Sequence, residues 1–307
     1  MRSALILLLS SVLSLGLIGC GGDLDDRGMV SIEILGNGSA SVTGTDIDCP
    51  ETCQREVVFT QLEVNSIANN SRTITVQANV DPDSELLGWL PTGRTFISND
   101  TTVCESDPIC QVRMQEICAV GHYLPGACAA NAINDIELRP VVMNTNSLID
   151  WDRSGGYICV LQQPGEAQCW QSSAARYRNF EHTNTPSLIN PTQVSVASNF
   201  GCALDQTGVH CWSSEPDAII AEPSILFGLS HVEQISVRIG YYGCALADGD
   251  VTCWQRKALA VTPSLNDPTN LRREGNSTCV DDGTEKVCWS FTAGEYIESR
   301  QPLIPTT

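Results

Sequence analysis

From about residue 29 onward, short runs of alternating apolar and polar residues are separated by turn formers. Val30-Ser31-Ile32-Glu33-Ile34 and Thr73-Ile74-Thr75-Val76 show the period of two expected of half-buried strands. Asn37-Gly38 and Asp81-Pro82-Asp83 punctuate them as turns. Gln193-Val194-Ser195-Val196 and Gln234-Ile235-Ser236-Val237 continue the pattern in the second half. The expected fold is all-β, with an N-terminal β module over residues 29–142 and a second strand-rich region over residues 143–307.

That second region repeats itself. Cys202-Ala203-Leu204, a turn and Val209-His210-Cys211-Trp212 are matched by Cys244-Ala245-Leu246, a turn and Val251-Thr252-Cys253-Trp254. Looser copies run from Cys159-Val160-Leu161 to Cys169-Trp170 and from Cys279-Val280 to Val287-Cys288-Trp289. The four Trp residues are 42, 42 and 35 positions apart. Pro186-Ser187-Leu188, Pro223-Ser224-Ile225 and Pro263-Ser264-Leu265 recur between them. Two landmarks on a shared period predict about four structural repeats that stack to build a common core.

Each copy reads as a hairpin. A turn at Asp205-Gln206-Thr207-Gly208 sets Leu204 opposite Val209 and Cys202 opposite Cys211. A turn at Ala247-Asp248-Gly249-Asp250 does the same for Cys244 and Cys253. Directly opposed residues are close enough for a cross-strand disulfide, and closing such a loop contributes about 2–3 kcal/mol on the chain-entropy model. The Trp after the second Cys points to the opposite face, where it can pack on neighbouring strands or the next unit.

The chain has 15 cysteines. Cys20 stands apart, and the other fourteen form near-neighbour pairs: Cys49-Cys53, Cys104-Cys110, Cys118-Cys128, Cys159-Cys169, Cys202-Cys211, Cys244-Cys253 and Cys279-Cys288. Behind a secretory leader, that arithmetic predicts seven local disulfides and an oxidising compartment. Cys49 and Cys53 have three residues between them, so they do not form a thioredoxin-type Cys-x-x-Cys.

Among the first nineteen residues only Arg2 is charged, and Ala4 to Ile18 is mostly apolar, as in a signal peptide. Leu17-Ile18-Gly19-Cys20 resembles the lipobox of bacterial lipoproteins. That resemblance implies a signal peptide at 1–19, lipidation at Cys20, a tether at 20–28 and a membrane partner reached through the acyl chains. Gly21, rather than Asp, follows the Cys, and in that family this implies the outer membrane, on its periplasmic face or at the cell surface.

The formal net charge is −19, and the only lysines are Lys257 and Lys286. Such a surface repels phosphate backbones, so no nucleic-acid partner is expected. No catalytic motif is present: Gly-x-Ser-x-Gly, a phosphate loop and His-Glu-x-x-His are all missing. His122, His182, His210 and His231 share no metal-ligand spacing, and only His210, beside Cys211, is worth watching. No cofactor is expected. Asp248-Gly249-Asp250 and Asp281-Asp282-Gly283 could touch calcium, but they lack the EF-hand pattern and suit tight turns equally well.

The Cys-Ala-Leu and Cys-Trp pieces of residues 144–307 resemble the chromosome-condensation-regulator type of β-propeller repeat in its bacterial secreted form. The family's His before the first Cys and its Asn-x-x-Gly-Gln-Leu-Gly run are missing here. Propellers of that family usually have about seven blades. Four units therefore leave open a small closed ring, an open arc, or self-association that completes a ring with another copy.

The N-terminal module resembles the bacterial repeat domain related to internalin B-repeats. The matching pieces are Gly36 to Val42, Cys49 to Cys53, Thr73 to Ala78, Gly88-Trp89 and Cys110-Gln111-Val112-Arg113-Met114. Together the resemblances imply a non-catalytic envelope lipoprotein whose repeats bind a protein or glycan. A scaffold without a dissociable ligand and a polysaccharide- or peptide-acting hydrolase are the alternatives.

Overall fold

The computed structural model describes residues 26–59, 71–92, 109–115, 136–171, 185–213, 223, 227–292 and 295–303, apart from positions 45, 155 and 199. Eight strands form the N-terminal part: β1 (Asp26–Ile32), β2 (Ala40–Gly44), β3 (Ile47–Cys49), β4 (Gln54–Phe59), β5 (Ser71–Val80), β6 (Ser84–Thr92), β7 (Ile109–Gln115) and β8 (Ile136–Asn144). They build two sheets, ordered β4-β1-β8-β6 and β3-β2-β5-β7. β1 begins at Asp26, within the expected tether, because its pairing with β4 runs out to Asp26 opposite Phe59.

Alternation decides which residues meet between these sheets. Val30, Ile32 and Val57 of the first pack against Val42, Ile47, Ile74, Val76 and Ala78 of the second, with Trp89 and Leu138 in the same cluster. The other face of β6 and β8 is also apolar. Leu87, Leu90, Val141 and Met143 pack on Ile158, Val160 and Trp170 of the first repeat. The N-terminal part and the array therefore share a hydrophobic core.

The array is propeller-like and consists of four antiparallel sheets. Unit 1 contains β9 (Leu148–Ser154), β10 (Tyr157–Gln162) and β11 (Glu166–Gln171), and unit 2 contains β12 (Gln193–Ala197), β13 (Phe200–Asp205) and β14 (Gly208–Ser213). Unit 3 adds a short fourth strand: β15 (Val232–Arg238), β16 (Tyr242–Ala247), β17 (Asp250–Gln255) and β18 (Ala258–Leu259). Unit 4 contains β19 (Pro268–Glu274), β20 (Ser277–Asp282), β21 (Glu285–Thr292) and β22 (Glu295–Pro302). In units 2 and 3 the registers place Cys202 opposite Cys211 and Cys244 opposite Cys253, with Leu204 opposite Val209 and Leu246 opposite Val251.

Five disulfides are present among the described residues: Cys49–Cys53, Cys159–Cys169, Cys202–Cys211, Cys244–Cys253 and Cys279–Cys288. In the array their Cα atoms are 4.0–4.1 Å apart, close to the separation of directly opposed, non-hydrogen-bonded strand residues. Cys20, Cys104, Cys118 and Cys128 lie outside the described residues, so Cys104-Cys110 and Cys118-Cys128 do too. The five bonds fit an oxidising, extracytoplasmic compartment. Among the described residues, no helix is long and apolar enough to cross a membrane.

Stacking has a fixed direction. The disulfide face of each unit meets the Trp face of the following one. Tyr157, Cys159 and Leu161 pack on Val194, Val196 and Trp212. Phe200, Cys202 and Leu204 pack on Ile235, Val237 and Trp254, and Tyr242, Cys244 and Leu246 pack on Leu271, Val280 and Trp289. Each Trp thus packs on the preceding unit, and Trp170 finds β6 and β8 in that role. The indole of Trp212 lies flat over Gly201, its cross-strand partner, where a Cβ would sit 2.7 Å from Cζ2. Gly243 stands under Trp254 in the same way.

The unit-3 seam differs from the other two by one hydroxyl. Trp212 Nε1–H donates to Tyr157 Oη, and Trp289 Nε1–H to Tyr242 Oη, both at 3.1 Å. Trp254 Nε1 is buried without a hydrogen-bond partner among the described residues, because the matching position in unit 2 is Phe200.

Two substitutions test this packing by chemical denaturation. Phe200→Tyr supplies the missing acceptor and is expected to stabilise the fold by about 1 kcal/mol. Gly201→Ala drives a methyl into the Trp212 ring and is expected to cost about 1–3 kcal/mol.

Candidate functional site

The first strands of the four units, β9, β12, β15 and β19, lie side by side at the inner edge of the array. Each is paired on one side only, so alternate backbone N–H groups on its free edge need acceptors. Side chains of the preceding inner strand supply them. Val194 N–H donates to Asp150 Oδ2 at 2.8 Å, and Val196 N–H to Asp152 Oδ2 at 2.7 Å. One unit on, Ile235 N–H donates to Gln193 Oε1 at 2.7 Å, and Val237 N–H to Ser195 Oγ at 3.0 Å. At the last seam Leu271 N–H donates to Gln234 Oε1 at 2.6 Å. Ser236 Oγ, next in the series, has no partner among the described residues, where β19 carries a register shift between Thr269 and Arg272.

Asp152 is the hub of this ladder. Besides Val196 N–H it accepts from Ser195 Oγ at 3.2 Å and from Arg273 Nη2 at 3.0 Å. Arg273 Nη2 also donates to Arg153 O at 2.6 Å, so one guanidinium ties the inner strand of unit 4 to that of unit 1. Burial raises the Asp150 carboxyl above its ordinary value. Burial also raises Asp152, against the attraction of Arg273. With their oxygens engaged by neighbouring strands, these carboxylates hold the array together.

The array ends on a polar face. The apolar opposed pairs Leu161–Ala167, Leu204–Val209 and Leu246–Val251 are replaced in unit 4 by Asp281–Lys286. Arg272 bonds Asp281 Oδ1 and Glu274 Oε1, each at 2.9 Å, and Lys286 reaches Glu274 Oε2 at 2.9 Å. This network lies over the Cys279–Cys288 disulfide and terminates the stack, as a capping repeat does. Glu274 and the two cysteines form a cluster of metal-ligating residue types. The sulfurs are bonded to each other, so they offer no thiolate to a metal.

Unit 3 holds a guanidinium in a seam. Arg238 is 3% exposed and stacks 3.7 Å over the Tyr242 ring, with Phe291 at 5.4 Å. The contact with Tyr242 lies within unit 3, and the Phe291 ring brings unit 4 against the same guanidinium.

The positions watched in the sequence are engaged in turns. His210 Nε2 lies 2.7 Å from Thr207 Oγ1 and 3.1 Å from Asp205 Oδ1. Both contacts use one ring nitrogen, so the imidazole does not relay between them. Burial pushes the Asp205 carboxyl up, but hydrogen bonds from Thr207 and Ile189 outweigh it and hold the group below its ordinary value. Asp205 thereby ties the incoming loop at Ile189 to the hairpin turn. Asp282 does the same for Asn266 and Asp267. Asp281 is engaged with Arg272 and Asn270, and Asp248 faces His231 at 3.2 Å. Asp250 is exposed at the same hairpin turn. His122 and His182 lie outside the described residues.

The ladder is what reading the sequence for catalysis misses. Its signal is the recurring polar-x-polar start of an inner strand: Asp150-Trp151-Asp152, Gln193-Val194-Ser195 and Gln234-Ile235-Ser236. The polar cap is equally legible, in the change from Leu and Val to Asp281 and Lys286.

No family model matches the chain, and no curated protein matches it. Among solved structures it is similar to human WBSCR16, with 11% identity over 85% of this chain and 76% of that one, at a TM-score of 0.36. Prp20p from Saccharomyces cerevisiae, described with its binding to Gsp1p and histones, shows 9% identity over 77% of this chain and 62% of that one, at 0.39. The computationally designed Ika8 protein shows 12% identity at 0.32, and the match spans about half of each chain, 49% here and 48% there. At these scores the fold rests on the strand pairing and stacking described above.

The ladder generates a pH-dependent prediction. In Asp150→Asn the side-chain carbonyl still accepts from Val194 N–H, while a desolvated charge is removed. The folded state raises the Asp150 pKa, so the wild type loses stability from this group as pH rises through that value. Relative to wild type, Asp150→Asn is therefore expected to gain stability between about pH 4 and neutrality and to show no gain below about pH 4. Urea titrations across that range check it, and a difference independent of pH contradicts it.

Proposed function

We propose that this chain is a lipid-anchored, non-catalytic binding protein of the bacterial cell envelope, placed at the outer membrane by Cys20 and Gly21. In this reading the propeller-like array meets a protein or glycan partner through the loop rims of its units. The observation that carries it is that the stacking faces are used up. The β6–β8 face covers unit 1, each seam is filled by Trp and disulfide, and a charged network closes unit 4. What the array offers a partner is its turns and loop edges.

The capping network also favours an array that ends within one chain over a ring completed by another copy. In this reading the raised-pKa carboxylates Asp150 and Asp152 serve the strand ladder. The N-terminal module adds a rigid base, because it shares a core with unit 1.

Two measurements test the proposal. Intact mass of the natively purified protein is expected to match residues 20–307 plus acyl groups, with fourteen thiols appearing only after reduction. An unacylated product removes the anchor. Oxidised, intact protein used as bait in cross-linked envelope extracts is expected to capture a partner whose binding is reproduced with purified components. Failure to recover one from protein or glycan fractions favours the scaffold instead.

A further inference from the structure

The two rims of the array differ in chemistry. All four inner strands end at the upper rim, where Arg273 is paired with Asp152 at the inner edge and Arg256 and Lys257 form the outer tip of unit 3. The lower rim carries the disulfide-hairpin turns with Asp205, Asp248, Asp250, Asp267 and Asp282. Among the described residues, Lys286 and Arg300 lie by the lower turn of unit 4, whereas Arg256 and Lys257 are the exposed cations of the upper tip of unit 3.

The same rim carries exposed aliphatic side chains. Residues Gln255 to Leu259 are all exposed and form the tip between β17 and β18, with Arg256 and Lys257 at the turn. Leu259 is 66% exposed, Val261 57% and Ile239 61%. They belong to one corner of unit 3: Arg256 N–H donates to Tyr241 O, Gln255 Nε2 donates to Gly240 O, and Val261 O accepts from Tyr242 Oη. Three of the five large exposed hydrophobics among the described residues therefore stand beside two exposed cations.

The N-terminus points to the same side. β8 runs down to the tight turn that starts β9, and Arg139 near its beginning donates to Gln171 O at the upper rim. β1 is parallel to β8, so Asp26 lies at the upper end. Only five residues lie between Cys20 and Asp26, a reach of about 20 Å over six Cα–Cα steps.

We propose that the unit-3 tip, with Arg256 and Lys257 flanked by Ile239, Leu259 and Val261, is a docking surface for an anionic phospholipid membrane. The proposal rests on the anchored reading for its orientation. A short tether at the upper end holds that rim against the bilayer. The two cations meet lipid headgroups while the aliphatic side chains enter the interface, each cation contributing about fivefold to partitioning near an anionic surface. The acidic lower rim faces away, beyond the roughly 10 Å over which charge acts in moderate salt.

The chain's two lysines make the test direct. Acylated protein is reconstituted into vesicles of phosphatidylglycerol in phosphatidylcholine and labelled with a water-soluble amine reagent, with detergent-solubilised protein as reference. Lys286, held by Glu274 on the capping face of unit 4, is the internal standard. Lys257 labelling relative to Lys286 is expected to fall several-fold in vesicles. It should recover at high salt, and it should recover in the Leu259→Ser/Val261→Ser variant.

An unchanged ratio in acylated protein overturns the docking surface and leaves the anchor standing, whereas intact mass showing no acylation overturns the anchor. Protection of Lys257 in intact envelopes but not in protein-free vesicles assigns the tip to a protein partner and also overturns the proposal.

Discussion

A single three- or four-stranded sheet of this size cannot cover both of its own faces, and the rest of the structure follows from that constraint. Units 1 to 3 each have an apolar disulfide face and an apolar Trp face, and both need a neighbour. The interaction that satisfies them is one seam repeated: the Trp of one unit against the aromatic, disulfide and Leu of the unit before it. The small residues at Gly201 and Gly243 belong to the seam as much as the indoles above them. In units 1 and 4, Ile158 and Thr278 hold the same position opposite Trp170 and Trp289.

A one-directional seam leaves two unlike ends, and the protein treats them differently. At the first end β6 and β8 stand where a preceding unit would, so the N-terminal module completes the core of unit 1. At the last end, Asp281 and Lys286 replace the apolar pair, and with Arg272 and Glu274 they make the disulfide face polar. The inner edge has its own solution. Unpaired backbone N–H groups are met by side chains from the preceding strand, and Arg273 carries that logic back to Asp152 in unit 1. Carboxylates that resemble catalytic candidates by their raised pKa thus serve as cross-strand acceptors.

Strong local stapling suits a protein that works outside the cytoplasm. Disulfides across hairpins stabilise each unit before its neighbours contribute, which matters where the apolar payload per sheet is small.

Much of this was written in the sequence. The period of Trp and Cys located the four units, and the turn residues set the hairpin registers, because a cross-strand pair is decided within about ten residues of chain. The alternation of Val30 to Ile34 and Thr73 to Val76 identified strands for the same local reason. What lay beyond the sequence was every relation between distant segments: that Trp packs backward, that β6 and β8 cover unit 1, and that Arg273 reaches Asp152. Those contacts depend on which faces the stacking brings together, and alternation within one strand is silent about the neighbour on the other side. The polar ladder sits between the two cases. Its residues recur visibly, but their role as acceptors exists only once the inner strands lie side by side.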